Sequence, residues 1–113
     1  MDSNDLTVVI VTFKSEDKIH SCLNSIPRNI RTIIVENSSD ENFKKKVEDK
    51  YSNVKCILSG ANKGYAVANN IGLKLVQTRF ALVLNPDATL GKDVVDSFFS
   101  IVKKNNDFWL LGP

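Results

Sequence analysis

The stretch that decides the fold is RTIIVENSSDENFKKKVEDKYSNVKCIL, residues 31–58. It opens on the run Thr32, Ile33, Ile34 and Val35, the pattern of a strand buried on both faces. It closes on VKCIL, residues 54–58, a shorter run of the same kind. Between them lies a segment too charged for a buried strand, with Ser38 and Glu41 at capping-box spacing, so a helix is predicted to end near Tyr51. Strand, helix and strand in so short a span form a crossover unit, which joins parallel neighbours.

The same alternation extends in both directions. LTVVIVTF, residues 6–13, is a nearly continuous β-branched strand, and Ile19, Cys22, Leu23 and Ile26 then recur at helical spacing until Pro27 stops them. In GANKGYAVANNIGLKLV, residues 60–76, the stripe Val67, Ala68, Ile71 and Leu75 predicts a helix starting near Gly64 and facing the core. Residues 79–84 read as a fourth strand. A fourth helix carries Val94, Val95, Phe98, Phe99, Ile101 and Val102, and FWLLGP is a last strand. The expected fold is a three-layer, doubly wound α/β domain on a mainly parallel sheet, with residues 1–113 as one domain. Gly112-Pro113 follows that strand directly, where a domain of this type continues, so a truncated chain is expected.

Composition narrows the function. A net charge of +2 from 15 basic and 13 acidic residues is too small to imply nucleic acid as a partner, so any bound anion needs a local site. Cys22 and Cys56 sit among apolar neighbours and read as small buried hydrophobes. His20 falls on the polar side of its helix and reads as a solvated surface residue. No signal segment opens the chain and no run approaches the ~18 apolar residues of a membrane span. A cytoplasmic location is expected, with peripheral contact at the inner face of the membrane left open. Without a secretory signal, Asn37-Ser38-Ser39 is a chance match to the N-glycosylation pattern.

In an open parallel sheet, ligands bind beyond the carboxyl ends of the strands. Those loops are TFKSED, ENSSDE, SGANKGY and NPDATL, and the chain's polar residues concentrate in them. None matches a dinucleotide fingerprint, a P-loop or a nucleophile elbow. Two cysteines and one histidine lack structural-zinc spacing, and the paired acids of a phosphoacceptor site are absent after the first strand.

Three features remain. Glu36 ends the second strand, where its carboxylate either accepts an imide N–H, as from uracil or thymine, or merely caps the strand or pairs with a lysine. Asn62 and Gly64 precede a helix start, whose free N–H groups and dipole suit a phosphate or simply mark a helix entry. Asp87, fixed by Pro86, suits a hard divalent cation shared with substrate phosphates, while Asn85 adds an amide oxygen. Taken alone, N-P-D is turn chemistry first.

Read together and in order, VVIVTFKS, VENSSD, NKGYAVANNIG and LNPDATL resemble the nucleotide-sugar half of a family 2 glycosyltransferase of the GT-A (nucleotide-diphospho-sugar transferase) type, nearest its bacterial rhamnosyltransferase-like branch. The resemblance implies that Thr12 and Phe13 line a nucleotide base pocket. VENSSD is similar to the family's V-D-N-x-S-x-D, which puts Glu36 against the pyrimidine and brings in Asn37 and Ser38. NKGYAVANN follows N-x-G-[FY]-A-x-[AG]-x-N, so Asn62, Gly64, Tyr65 and Asn70 would lie beside ribose and pyrophosphate, with Asn69 a weaker candidate. LNPD stands where the family has D-x-D, which implies Mg²⁺ or Mn²⁺ on Asp87, with Asn85 in place of the first aspartate.

The implied reaction is inverting transfer of a sugar from a UDP- or dTDP-sugar, dTDP-rhamnose for that branch, to a hydroxyl of a glycan or lipid-linked acceptor. The family's acidic catalytic base has no counterpart here and is expected beyond Pro113, which would leave these 113 residues alone inactive. Glu36 is one methylene longer than the usual aspartate, and Lys14 stands where asparagine is commoner. The alternative is a non-catalytic nucleotide-binding or protein-interaction α/β module.

Overall fold

The apolar runs of the sequence pair into one five-stranded sheet in the computed structural model, which describes residues 5–90 and the backbone of 108–111. In chain order the elements are β1 (Leu6–Thr12), α1 (Glu16–Ser25), β2 (Arg31–Glu36), α2 (Glu41–Lys50), β3 (Val54–Leu58), α3 (Tyr65–Lys74), β4 (Phe80–Leu84) and β5 (Phe108–Leu111). The strand order is β3-β2-β1-β4-β5. The first four strands are parallel, with Thr12 opposite Glu36 and Glu36 opposite Leu58. β5 runs antiparallel to β4, with Phe108 opposite Leu84. Leu84 and Phe108 therefore stand at the same end of the sheet.

Alternation along the strands sends side chains to two cores. Val8, Ile10, Ile34 and Leu82 pack with Ile19 and Leu23 of α1 and with Phe43 and Val47 of α2. Val11, Ile33 and Val35 point to the other face and meet Ala68 of α3. Each fully buried aliphatic side chain contributes roughly 1.5–3 kcal/mol. Cys22 and Cys56 are buried free thiols, as expected, and burial is the main cause that pushes each up to about 12.

Three local expectations change. Asp40, not Ser38, caps α2: its Oδ1 accepts the Phe43 N–H at 3.0 Å, while the Ser38 hydroxyl turns back to Glu36. His20 is half-buried rather than solvated, because Tyr51 at the end of α2 reaches it with its hydroxyl at 2.9 Å. The stripe on α3 is rotated: Ala68 and Gly72 face the sheet, whereas Val67 is 48% and Leu75 44% exposed. Gly72 explains the rotation, since a Cβ there would lie 2.7 Å from Val9 Cγ1, closer than packed atoms approach. The helix docks on its smallest residues, with Ile71 packed beside them, and leaves Val67 and Leu75 on its flank. The expected fourth helix lies outside the described residues.

Strands β1, β2 and β3 are laid down successively in one direction, and β4 returns to the far side of β1. The order reverses between β1 and β4, which opens a crevice beyond their carboxyl ends.

Candidate functional site

Four loops meet at that crevice. The first leaves β1 through a turn in which Lys14 has φ +53°, the only positive φ of a non-glycine among the described residues. Such a backbone costs about 1–2 kcal/mol for a residue with a Cβ. It is held by Ser15, whose hydroxyl donates to the Phe13 carbonyl at 3.3 Å, and it leaves the Phe13 ring 46% exposed. The Lys14 ammonium lies 5.3 Å from the centre of that ring.

The second loop carries Glu36 and Asn37, which are 1% and 2% exposed. Both Glu36 oxygens are engaged: Oε1 accepts the Thr12 hydroxyl at 2.6 Å, and Oε2 accepts the Ser38 hydroxyl at 2.6 Å and the Lys14 N–H at 3.4 Å. The carboxylate therefore ties the β1 loop to the β2 loop from behind the crevice. Asn37 reaches the third loop, where its amide meets Ser59, Asn62, Lys63 and Gly64.

In that third loop Gly64 has φ +86° and ψ 159°, a conformation open essentially to glycine alone. It starts α3 with no side-chain cap, so the first N–H groups of the helix have no side-chain acceptor from Gly64. The Asn62 Oδ1 accepts the Gly64 N–H at 3.1 Å, which directs the NH₂ group of Asn62 away from the backbone. Asn69 on α3 has a buried Oδ1 with no hydrogen-bond partner among the described residues.

The fourth loop is a turn. The Ala88 N–H donates to the Asn85 carbonyl at 2.9 Å, and the Asp87 N–H donates to Asn85 Oδ1 at 3.0 Å. Asn85 thus spends its side-chain oxygen on folding the turn, and Asp87 stands out from it with its side chain 61% exposed. Lys18 on α1 approaches the carboxylate to 4.0 Å. Behind the turn, Cys22 Sγ contacts the Asn85 carbonyl, and the charge of Asp87 adds to burial in raising that thiol.

These loops enclose a cavity of about 380 Å³, to which Thr12, Phe13, Asn37, Asn62, Tyr65 and Asn85 contribute wall. Glu36 and Ser38 stand behind that wall, Gly64 shapes it through its backbone, and Asp87 follows Pro86, which lines it. Asn70 is exposed on α3 and lines no part of the cavity. Sequence reading missed Ser15, Ser59 and the backbone of Lys63, although all three lie in the strand-end loops it singled out. A larger cavity, of about 540 Å³, opens at the other end of the sheet beside Arg28, Arg31 and Lys55. No candidate residue lies there, and the amino ends of an open parallel sheet are not where its ligands bind.

Among the described residues no three His, Cys, Asp or Glu side chains gather as a metal cage. The lone exposed Asp87 carboxylate instead suits an ion held chiefly by substrate phosphates and water, so the donor set fits Mg²⁺ or Mn²⁺ in that mode.

The fold is that of the GT-A class of glycosyltransferases, as solved structures show. Staphylococcus aureus TarS 1-349 in complex with UDP-GlcNAc superposes with a TM-score of 0.71 at 22% identity, over 85% of this chain and 30% of that one. The mannosyltransferase PcManGT of Pyrobaculum calidifontis, in complex with GDP-Man and Mn²⁺, superposes at 0.70 with 18% identity, over 80% and 30%. Within that class the chain belongs to glycosyl transferase family 2, whose model matches residues 7–110. It is 29% identical to a low-salt glycan biosynthesis hexosyltransferase of Haloferax volcanii, over 97% of this chain and 36% of that protein. It is 30% identical to a teichoic acid poly(glycerol phosphate) polymerase of Staphylococcus epidermidis, again over 97% of this chain but 16% of that protein. The chain thus spans about a third or less of these curated relatives. No helix among the described residues is long and apolar enough to cross a membrane.

Proposed function

We propose that this chain is the donor-binding part of an inverting glycosyltransferase that takes a pyrimidine-diphosphate sugar, UDP- or dTDP-linked, and passes the sugar to a hydroxyl of a glycan or lipid-linked acceptor. The carrying observation is the crevice at the topological switch point, where Phe13 and Tyr65 offer aromatic surface and Asn62 an NH₂ group without a partner among the described residues. Phe13 and Thr12 suit the base. Asn62, Tyr65 and the start of α3 suit ribose and diphosphate, since N–H groups at a helix start favour anions.

Glu36 serves the base pocket by holding its two loops together. Direct acceptance of a pyrimidine imide N–H would use the one lone pair left, on Oε1 beside the Thr12 hydroxyl. Asp87 would hold Mg²⁺ or Mn²⁺ against the diphosphate. When bound, such an ion offsets the negative charge that develops on the departing nucleoside diphosphate. Asn85 supports this by fixing the turn. A carboxylate base outside these 113 residues would take the acceptor's proton, and peripheral attachment at the inner face of the membrane would bring lipid-linked acceptors within reach.

Thermal unfolding of the chain with millimolar UDP, dTDP or GDP, with and without Mn²⁺, tests the reading. A ligand at ~100 times its Kd adds ~2.7 kcal/mol, a shift easily resolved. The expected result is an upward shift with UDP or dTDP that grows with Mn²⁺. No shift with any of the three would sink the proposal, and a shift with GDP alone would change the base assignment.

A further inference from the structure

We infer that Asn37 is a positioning residue, not a donor contact: its side chain is consumed in setting the loop that presents Asn62 and the start of α3. This rests on the donor-binding reading for its functional consequence, but its structural content stands apart from any ligand.

A side-chain amide offers two N–H donors and an oxygen with two lone pairs. In Asn37 all four are used. Nδ2 donates to Asn62 Oδ1 at 3.1 Å and to the Gly64 carbonyl at 3.3 Å. Oδ1 accepts the Lys63 N–H at 3.1 Å and, at 2.8 Å, shares the single Ser59 hydroxyl proton with the Ala61 carbonyl, which lies 2.7 Å from the same Ser59 oxygen. The partners fix which way the amide faces, because a carbonyl can only accept and a backbone N–H can only donate. The residue is 2% exposed, and its own N–H donates to the Thr12 carbonyl at 2.8 Å. One residue just after β2 thereby joins the end of β1 through its main chain, and the residue after β3 and the entry to α3 through its side chain.

The consequence falls on Asn62. Its Oδ1 is held between the Asn37 NH₂ and the Gly64 N–H, which leaves its own NH₂ without a partner among the described residues, on the cavity wall. Asn37 therefore acts through Asn62. A ligand that took a hydrogen bond from Asn37 would have to break one of the two that its NH₂ group donates.

Asn37→Asp keeps the shape and the acceptor oxygen but sets a second oxygen against Asn62 Oδ1 and the Gly64 carbonyl. Amide hydrogen exchange of the nucleotide-free variant should show the Gly64 N–H exchanging faster while the Val9 and Ile34 amides of the central strands keep their protection. Calorimetric titration with UDP or dTDP and Mn²⁺ should show binding weakened about tenfold, the loss of roughly one net hydrogen bond. In an Asn62→Ala background the Asn37→Asp change should weaken binding little further, because both act on one contact. Unchanged Gly64 exchange overturns the inference, and so do fully additive losses. If Asn37→Asp does not fold, Ser59→Ala removes one of the four bonds and is read the same way. If the parent chain binds no nucleotide, the donor-binding reading fails, and the exchange data alone decide whether Asn37 anchors the loop.

Discussion

The Thr12 hydroxyl donates to the Glu36 carboxylate at 2.6 Å, across the one register position where β1 and β2 both end. This contact makes Glu36 a clamp between two strand-end loops, since Ser38 and Lys14 N–H share its second oxygen. Glu36→Gln must turn its NH₂ toward one of these donors. The variant should lose about 1–3 kcal/mol, the cost of a buried polar group left unpaired. Denaturant midpoints check this, and a loss below the measurement error would show that the clamp is slack.

Asp87 is exposed and makes one long contact with Lys18, so Asp87→Ala should change stability by less than ~0.5 kcal/mol. The same variant should abolish the Mn²⁺-dependent part of the UDP or dTDP thermal shift and keep the metal-independent part. A retained Mn²⁺ increment would place the metal elsewhere.

Two glycines should fail for different reasons. Gly72→Ala puts a Cβ 2.7 Å from Val9 Cγ1 and 3.1 Å from Val35 Cγ2, so α3 must lift from the sheet at a cost of about 1–3 kcal/mol. At Gly64 a Cβ meets nothing within 4 Å, yet φ is +86°, so Gly64→Ala costs about 1–3 kcal/mol through the backbone alone. Both should lower the unfolding midpoint, but only Gly64→Ala should speed exchange at the loop before α3 while the docking of α3 stays protected.

Burial pushes the Cys22 and Cys56 thiols up to about 12, so neither forms appreciable thiolate near neutrality. In the native chain both should resist a thiol reagent at pH 8, and both should react at once in denaturant. Rapid labelling of native Cys22 would mean that the turn carrying Asn85 opens readily.

Burial tends to raise the Glu48 carboxyl, but the Cys56 N–H and Lys44 outweigh it, so its folded pKa lies below the usual value. A depressed folded pKa gives stability that is present above the unfolded value, near 4.3, and is lost as pH falls through the folded one. Glu48→Gln should therefore flatten the fall in stability below about pH 4. Equal acid sensitivity of the two proteins would remove Glu48 from the cause.

The strands were legible because their runs are nearly pure: residues 31–36 and 54–58 form β2 and β3 with the bounds read from the sequence. The polar strand ends were legible for the same reason, as breaks in those runs. Orientation on α3 was not. Periodicity weighs apolar size, whereas the helix docked where Gly72 allowed the closest approach, which left Val67 and Leu75 outside. The cap of α2 went to Asp40 because Glu36 drew the Ser38 hydroxyl away. His20 found Tyr51 from another helix, a partner no local pattern reveals.

The sequence by itself determined the alternating sheet, its mainly parallel order and the four loops that carry polar chemistry, because those follow from the local order of apolar and polar residues. Only the tertiary structure decided how the candidates divide their labour. The resemblance implied that Glu36 and Asn37 are ligand contacts, whereas residue type alone left Glu36 between a base contact and a strand cap. Packed at the ends of adjacent strands, they meet enough protein donors and acceptors to occupy them, and they become the supports of a wall on which Phe13, Asn62 and Tyr65 are presented. Hydrogen-bonding capacity is finite, and which partner takes it depends on distances between loops that are remote in sequence.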